Sequence, residues 1–242
     1  MKPQNFFPRI ERISSYLEQS KIRASLGGYY DGKCILVTGG GGAIGSNLII
    51  ALSELVGNTG KIIVLDDFSA TKDNSDWNAP GLHNVMIVKG SITDEGALAR
   101  CFRNDISIVF HLAAFFANQN SIDYPLEAAR VDITGLIKIL ELSTIAKVDR
   151  FVYASSGCAI YGSYPVLPLS EDFISMHLTT PYQINKMTGE MYCNFYKHHY
   201  GLATVNCRFF NSFGPGEIPG QYRNVIPNFL YWSLCSESLP IT

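Results

Sequence analysis

The chain has 242 residues, of which 47% are hydrophobic, and its formal net charge is −2 with a sequence pI of about 6.2. A chain of this length is long enough to bury one full core and to add a small lobe, and its near-neutral charge argues against binding to nucleic acid. The charged start (MKPQNFFPRIERISSYLEQSKIRAS) lacks the apolar stretch of a signal peptide, and no segment offers about 18 apolar residues in a row. The sequence therefore predicts a soluble, cytoplasmic protein with no membrane partner.

Strand-like and helix-like segments alternate along the chain. Residues 1–31 are interpreted as a helical extension, a solvated amphipathic helix, before the first strand. Strands are predicted at 33–39, 60–67, 84–91, 106–114, 150–156 and 202–210, and helices at 43–57, 94–104, 125–148 and 179–201. This alternation is typical of an α/β fold with a parallel sheet and helices on both faces. The six cysteines show no metal-like spacing and are predicted to be reduced thiols, and no metal site is predicted.

The loop after the first strand, VTGGGGAIGSNL, has Gly39, Gly42 and Gly45 spaced three apart between a strand and a helix. Glycine lets the backbone approach a pyrophosphate closely, and the helix start offers free N–H groups. Asp66 ends the second strand, where a carboxylate accepts from ribose hydroxyls and repels a 2′-phosphate. The sequence therefore predicts NAD rather than NADP as cofactor. The alternatives are that the glycines form a structural turn that binds no ligand, and that Asp66 is an ordinary turn residue.

Tyr182 and Lys186, in PYQINK, are four residues apart on a predicted helix, so their side chains share one face. A nearby ammonium and the positive nicotinamide of NAD⁺ favour a phenolate, which should move the tyrosine pKa from about 10 toward neutrality. Tyr182 could then take a proton from an alcohol while hydride leaves its carbon, and Lys186 could also hold the nicotinamide ribose. A solvated Tyr–Lys pair is the alternative.

These features together resemble the extended short-chain dehydrogenases/reductases, and among them the NAD-dependent nucleotide-sugar epimerases and dehydratases. The matching segments are TGGGGAIGSNL (38–48), LDDFS (65–69), HLAA (111–114), SIDYP (121–125), SSGCAIYG (155–162), PYQINK (181–186), RFFNSFGPG (208–216) and VIP (225–227). The resemblance implies a Rossmann-type doubly wound domain at 32–210 that binds NAD. It also implies the start of a smaller lobe at 211–242, incomplete here, that grips a nucleoside-diphosphate sugar.

The resemblance further implies the residues that line the cofactor. Beside the glycine loop, Tyr182 and Lys186, these are Ala43, Ile44, Asp66, Asp67, Ser91, Ile92, Leu112, Ala113, Ala114 and Phe210. Ser91-Ile92 replaces the family's usual Asp-Ile or Asp-Val, so the carboxylate contact to adenine is weakened or replaced. Asp132 stands where the family usually has Asn. Asn211 is expected to face the sugar or its diphosphate, or else to cap its own loop.

The family's catalytic Ser or Thr lies four residues before the tyrosine of the YG pair, a position that Gly157 fills here. Ser156 is predicted to supply the hydroxyl instead, because a neighbouring glycine permits unusual backbone angles. A bound water, or a purely structural role for Ser155 and Ser156, is the alternative. Cys158 is a poor candidate for a nucleophile, because nothing nearby in the sequence would lower its pKa.

The same loop favours one family reaction. Cys158 and Ala159 stand where dehydratases carry an Asp-Glu pair and decarboxylases a Glu, so no acid is available there for elimination. The resemblance therefore favours epimerisation of the sugar at C4, by transient oxidation and return of the hydride. Another family reaction (dehydration, decarboxylation or reduction) is the alternative. NAD binding with little or no turnover is a further one, because the short stretch after Phe210 predicts an incomplete substrate lobe.

A homodimer is also expected. In the family, two long helices of each subunit form a four-helix bundle across a two-fold axis, and here these would be the helices near 125–146 and 180–200. Both carry apolar residues beyond a single stripe, which indicates a second packing partner. Examples are Ile137, Leu140, Met187, Met191 and Phe195.

Overall fold

The computed structural model describes residues 7–70, 82–163 and 167–239, so the ends of the predicted extension and lobe, 1–6 and 240–242, lie outside the described residues. The strands within these ranges are β1 (Cys34–Thr38), β2 (Lys61–Asp66), β3 (Val85–Lys89), β4 (Ile108–His111), β5 (Arg150–Ser156) and β6 (Thr204–Phe209). They form one parallel sheet in the order β3-β2-β1-β4-β5-β6. The predicted doubly wound α/β fold is confirmed. The strand order reverses between β1 and β4, where such sheets bind ligands.

Helices cover the sheet and connect its strands. Those in the described ranges are α1 (Phe7–Gln19), α2 (Ile22–Tyr30), α3 (Ala43–Leu55), α4 (Glu95–Phe102), α5 (Asn118–Asp123), α6 (Pro125–Ala129), α7 (Leu136–Ile145), α8 (Gly157–Tyr161), α9 (Pro181–Tyr200) and α10 (Val225–Leu234). A π-helical segment, Arg130–Gly135, joins α6 to α7, so the predicted helix at 125–148 is interrupted at its centre. No helix among the described residues is long and apolar enough to cross a membrane.

The core has two layers because the central strands are apolar on both faces, as expected for buried parallel strands. Val37 of β1 pairs with Val64 of β2 on one side and with Phe110 of β4 on the other. Below the sheet lie Leu36, Ile63, Leu65, Ile139, Leu140 and Cys193, and above it lie Ile35, Val37, Ile49, Leu52 and Val64. Leu140 therefore belongs to the core, so its expected place on an outer dimer face is wrong. All six cysteines are free, and Cys158 and Cys235 are exposed.

The N-terminal extension differs from the predicted solvated helix. It forms two helices, α1 and α2, which both pack against α3. Leu17 of α1 is only 3% exposed, and Ser14 and Arg23 both bond the carboxylate of Glu54 in the last turn of α3. The extension is docked because its apolar and charged side chains find partners on α3, and an amphipathic pattern alone does not reveal such partners.

Candidate active site

A cavity of about 810 Å³ opens at the carboxyl ends of the strands, over the point where the strand order reverses. Its wall contains every residue that the sequence assigned to the cofactor, to proton transfer or to the sugar. These are Gly39, Gly42, Ala43, Ile44, Gly45, Asp66, Asp67, Ser91, Ile92, Leu112, Ala113, Ala114, Ser156, Tyr182, Lys186, Phe210 and Asn211. The structure therefore brings the separate sequence motifs to one place.

The glycine loop has no room for side chains at two positions. A Cβ on Gly39 would lie 2.6 Å from the backbone nitrogen of Ala113, and one on Gly45 would lie 2.4 Å from the carbonyl oxygen of Gly39. Gly42 precedes the first turn of α3 and offers no side chain to cap it. The first-turn N–H groups of α3 are thus free of a side-chain cap beside the cavity, which suits a diphosphate.

Asp66 connects the glycine loop to the turn after β2. Its Oδ2 accepts from the backbone N–H of Gly41, and its Oδ1 accepts from that of Phe68, both at 2.7 Å. Burial raises the pKa of Asp66, although these two hydrogen bonds lower it. A carboxylate has about four acceptor sites. Asp66 therefore retains the capacity to accept from ribose hydroxyls while it fixes the loop.

Side-chain hydrogen bonds between nearby residues hold the end of the cavity next to β3. The Ser91 hydroxyl lies 3.0 Å from that of Thr93, and Ile92 is 3% exposed. Arg130, which sequence reasoning missed, donates to the Thr93 hydroxyl and to the carboxylate of Glu127. It also lines the cavity, whereas no motif in the sequence marked it.

The start of α9 is firmly fixed. Thr180 caps it, since its hydroxyl accepts from the N–H of Gln183 while the Gln183 side chain accepts from the N–H of Thr180. The backbone N–H of Tyr182 donates to the Ser121 hydroxyl at 3.0 Å. Such a capping box satisfies N–H groups that a helix start otherwise leaves unpaired. Tyr182 thus projects from a well-ordered helical turn.

Tyr182 and Lys186 are buried together, at 9% and 4% exposure, so the solvated-pair alternative is wrong. The Lys186 ammonium lies 5.8 Å from the centre of the Tyr182 ring. It donates to the carbonyl oxygen of Ala154 at 2.7 Å, which holds it against the end of β5. The i, i+4 spacing therefore places both groups on one face, as predicted.

The pKa of Tyr182 differs from the expectation. Burial raises it to about 12, and a hydrogen bond with Ser156 offsets only part of this rise. Burial also lowers the pKa of Lys186, whereas the nearby carboxylate of Asp132 raises it. The protein's own groups thus do not bring the tyrosine toward neutrality, because the desolvation of a phenolate outweighs the hydrogen bond.

The two serines at the end of β5 point in different directions. Ser156 is 6% exposed, lies 3.2 Å from the sulfur of Cys158, and is close enough to the Tyr182 hydroxyl to lower the pKa of that tyrosine. Ser155 instead donates to the carboxylate of Glu190 at 2.5 Å. Ser155 is therefore structural, and Ser156 is the hydroxyl that the structure places beside Tyr182.

Gly157 has a steric explanation. A Cβ at this position would lie 2.8 Å from two ring carbons of Phe210. The Phe210 ring stacks on Tyr161 with centroids 5.8 Å apart, and it lines the cavity. The ring thus occupies the space into which a side chain at 157 would project. Asn211, the next residue, is exposed on the cavity wall.

An aromatic and cationic wall lies next to Tyr182, and sequence reasoning missed its arginine. The Phe116 ring centre lies 6.2 Å from that of Tyr182, and the guanidinium of Arg223 lies 5.9 Å from the Phe116 ring centre. Arg223 also donates to the carbonyl oxygen of Ala70 at 2.7 Å. The pair of phenylalanines after HLAA was a signal for part of this wall, but no motif indicated Arg223.

Asp132, which stands where the family usually has Asn, lies in the π-helical segment and is 4% exposed. Its carboxylate accepts from the backbone N–H of Phe115 at 2.7 Å and from the Asn185 side chain at 3.2 Å. Burial raises the pKa of Asp132, and the charge of Lys186 lowers it. Asp132 therefore connects the loop after β4 to the helix that carries Tyr182 and Lys186.

Comparisons with known proteins agree with this site. A sequence model of the NAD dependent epimerase/dehydratase family matches residues 35–234. The chain is 31% identical over 194 residues to UDP-glucose 4-epimerase of Mycolicibacterium smegmatis, a match that covers 80% of this chain and 61% of that protein.

Two solved structures are also similar. An epimerase of the pseudomurein-containing methanogen Methanothermobacter thermautotrophicus is 45% identical with a TM-score of 0.83, over 99% of this chain and 65% of that one. A UDP-N-acetylglucosamine 4-epimerase of Methanobrevibacter ruminantium, solved with UDP-N-acetylmuramic acid, is 31% identical with a TM-score of 0.77, over 86% of this chain and 64% of that one. The chain thus spans 61–65% of the length of these three proteins.

Proposed function

Because this chain belongs to the NAD-dependent epimerase/dehydratase family, we propose that its cavity binds NAD and takes part in the epimerisation of a nucleoside-diphosphate sugar at C4. One observation carries the proposal: Ser156, Tyr182 and Lys186 line the same cavity as the glycine loop and Asp66. A proton-transfer group and a dinucleotide cradle therefore face one space, as a hydride-transfer reaction requires.

The residues present fit the cofactor. Side chains at Gly39 and Gly45 would collide with backbone atoms, so the loop keeps the close approach that a diphosphate needs. The N–H groups at the start of α3 would hold the diphosphate, Asp66 the adenosine ribose, and Lys186 the nicotinamide ribose. When bound, NAD⁺ supplies a hydride acceptor that can return the hydride to the other face of the oxidised sugar.

Tyr182 then moves the proton. Its phenolate accepts the proton of the sugar hydroxyl as the carbon is oxidised and returns it when the carbonyl is reduced. The Ser156 hydroxyl donates a hydrogen bond to the oxygen of the sugar hydroxyl, and the positive charge of Lys186 stabilises the phenolate. Since burial raises the pKa of Tyr182 to about 12, we propose that the positive charge of the bound nicotinamide makes a large part of the shift back toward neutrality.

The composition of α8 favours epimerisation over elimination. Cys158 and Ala159 supply no carboxyl group, and the buried carboxylate of Asp132 already accepts from Phe115 and Asn185. Phe116 and Arg223 form a wall next to Tyr182 that suits a sugar ring and an anionic oxygen. Dehydration, decarboxylation or reduction remain the other family reactions. NAD binding without turnover is a second candidate, favoured by Gly157, which supplies no hydroxyl at the position where the family carries its catalytic Ser or Thr.

The proposal includes domain organisation and assembly. Residues 32–210 form the NAD-binding domain, and the segment from 211 onward begins the substrate-binding lobe, since Asn211 and Arg223 line the cavity.

The chain also pairs with a second copy through α7 and α9. Met191 and Phe195 on α9 are 50% and 42% exposed, and both lie outside the core that Leu140 joins. Large exposed apolar side chains on one helix indicate a partner surface.

The test compares Tyr182→Phe with Tyr200→Phe, which alters an exposed tyrosine at the end of α9. With UDP-glucose and UDP-N-acetylglucosamine as probes, we expect Tyr182→Phe to lose nearly all turnover while the NAD dissociation constant, measured by calorimetry, changes little. The phenol moves only a proton, so its loss removes chemistry rather than binding. Tyr200→Phe should behave as the unmodified protein. Full turnover in Tyr182→Phe would refute the assignment of the base.

A further inference from the structure

The N-terminal helices lie outside the family match, which begins at residue 35, yet one of their side chains reaches the cofactor-binding turn. Arg9, in the first turn of α1, is 9% exposed. Its Nη2 donates to the Ser46 hydroxyl at 2.9 Å and to Oδ1 of Asn47 at 2.8 Å. Both partners belong to α3, directly after Gly45 of the glycine loop. A buried guanidinium from outside the family region thus contacts the helix that would carry the diphosphate.

The bond to Asn47 has a directional consequence. Because its Oδ1 accepts from Arg9, the Asn47 amide nitrogen points the other way. This nitrogen donates to the carbonyl oxygen of Ala43 and to that of Pro215, both at 2.8 Å. Arg9 therefore selects the orientation in which Asn47 ties the start of α3 to the loop at Pro215.

That loop also packs close to Arg9. A Cβ on Gly216 would lie 3.2 Å from Nη2 of Arg9 and 3.2 Å from the Ser46 hydroxyl, and Gly216 has a φ of +95°. A positive φ and tight packing together favour glycine. The loop runs from Asn211, on the cavity wall, to Glu217. Three segments far apart in sequence thus meet around one guanidinium.

We propose that Arg9 is a positioning residue: through Asn47 and Gly216, it holds the 211–217 loop against the diphosphate-binding turn of α3. The N-terminal helices then form part of the support of the nucleotide site, not merely an appendage to it. This inference rests on the proposed function only for the identity of the ligand, NAD.

The test uses two matched variants. Arg9→Met and Arg23→Met each remove a guanidinium between the extension and α3, but Arg23 bonds Glu54 in the last turn of α3, away from the cavity. We expect both to lower the thermal midpoint, whereas only Arg9→Met raises the NAD dissociation constant, by about tenfold, as expected for the loss of a hydrogen bond from a charged donor. Amide hydrogen exchange at 211–217 should accelerate only in Arg9→Met.

The outcomes separate this inference from the proposed function. If the unmodified chain binds no NAD, the proposed function fails, and hydrogen exchange at 211–217 still tests the role of Arg9. If the chain binds NAD and Arg9→Met leaves both affinity and loop exchange unchanged, or if both variants weaken NAD equally, Arg9 only anchors the extension and the inference is wrong. Should Arg9→Met not fold, Asn47→Leu, which removes the side chain that connects Arg9 to Pro215, gives the same readouts, and unchanged values there overturn the inference.

A double-mutant cycle tests the route through Asn47. Asn47→Leu and Arg9→Met act on one connection, so the combined variant should weaken NAD no more than the stronger single change. Strictly additive changes in the free energy of NAD binding would show that Arg9 does not act through Asn47, and would overturn that part of the inference.

Discussion

At the scale of single residues, the Phe210 ring explains why position 157 holds a glycine. Counting along the sequence identifies the missing hydroxyl at 157, but not its cause, because Phe210 belongs to the segment after another strand. The structure places the Phe210 ring 2.8 Å from the position of a Cβ at 157. A side chain at 157 and the aromatic ring at 210 therefore compete for the same space.

Restoring the family's serine at 157 is thus expected to destabilise the protein. Gly157→Ser forces the Phe210 ring to move, and because this ring is 59% exposed and can swing aside, the cost should lie at the low end of the overpacking range, about 1 kcal/mol. The combined variant Gly157→Ser/Phe210→Ala should lose less stability than the two single changes added together, because the ring no longer occupies the space. Urea unfolding of the four proteins measures both effects. Additive losses would show that the two positions do not compete.

Ser156 is expected to carry the hydroxyl that Gly157 cannot. Ser156→Ala should lower kcat by about 10²–10³, the usual effect of removing one donor to a developing oxyanion. Cys158→Ala should change kcat little, because a thiol is a weak hydrogen-bond donor and this one lies against the Ser156 hydroxyl. Steady-state kinetics with UDP-glucose distinguishes the two. Unchanged turnover in Ser156→Ala would assign the donor role to water.

At the scale of elements, the sheet could be predicted from sequence, whereas several short helices could not. Each strand is a compact apolar run bounded by glycine or polar residues, and this signal is local. The helix α8, however, has only five residues and follows the two serines that end β5, and the six residues of α5 include a single apolar one, so neither shows helical periodicity. The π-helical segment and the docking of α1 depend on tertiary partners such as Ile92 against Gly135. Local patterns do not contain that information.

Most of the candidate site could be predicted for a related reason. The motifs end strands or begin helices, and parallel strands bring their carboxyl ends to one edge of the sheet. Arg9 and Arg223 were missed because each reaches the site from a segment with no motif and no fixed relation to the sheet. Such contacts become visible only when the fold is known.

The buried ion pair between α9 and β6 should contribute strongly to stability. Arg208 bonds both carboxylate oxygens of Glu190, and their side chains are 13% and 6% exposed. Arg208→Met leaves a buried carboxylate without its cation and should cost about 3–5 kcal/mol in urea unfolding. Lys33→Met, which breaks the more exposed pair with Asp149, should cost about 0–1 kcal/mol. Similar losses in both variants would contradict this ranking.

At the scale of the whole molecule, α9 has two tasks. Its inner face supplies Tyr182 and Lys186 to the cavity, and its outer face exposes Met191 and Phe195. A second copy packed on the outer face would hold the helix from the side opposite the chemistry. Assembly and catalysis would then share one element, and the oligomeric state would bear directly on the rigidity of the site.

Light scattering tests this arrangement. We expect the chain to be a dimer at micromolar concentration and Phe195→Glu to be a monomer, because a charge in an apolar interface lacks a partner. Leu234→Glu, at an 85% exposed position on α10, serves as the control and should stay dimeric. A monomeric unmodified chain, or a dimer in both variants, would count against pairing through α9.

The position of Asp66 has a consequence for any attempt to change the cofactor by protein engineering. Its two oxygens each accept from a different backbone N–H, those of Gly41 and Phe68. Asparagine has a single carbonyl oxygen, so it would turn its amide nitrogen toward one of these donors. Removing the charge that disfavours NADP would therefore also loosen the glycine loop that every dinucleotide needs. A redesigned, NADP-dependent protein would have to supply a new acceptor for that loop together with the new phosphate contact.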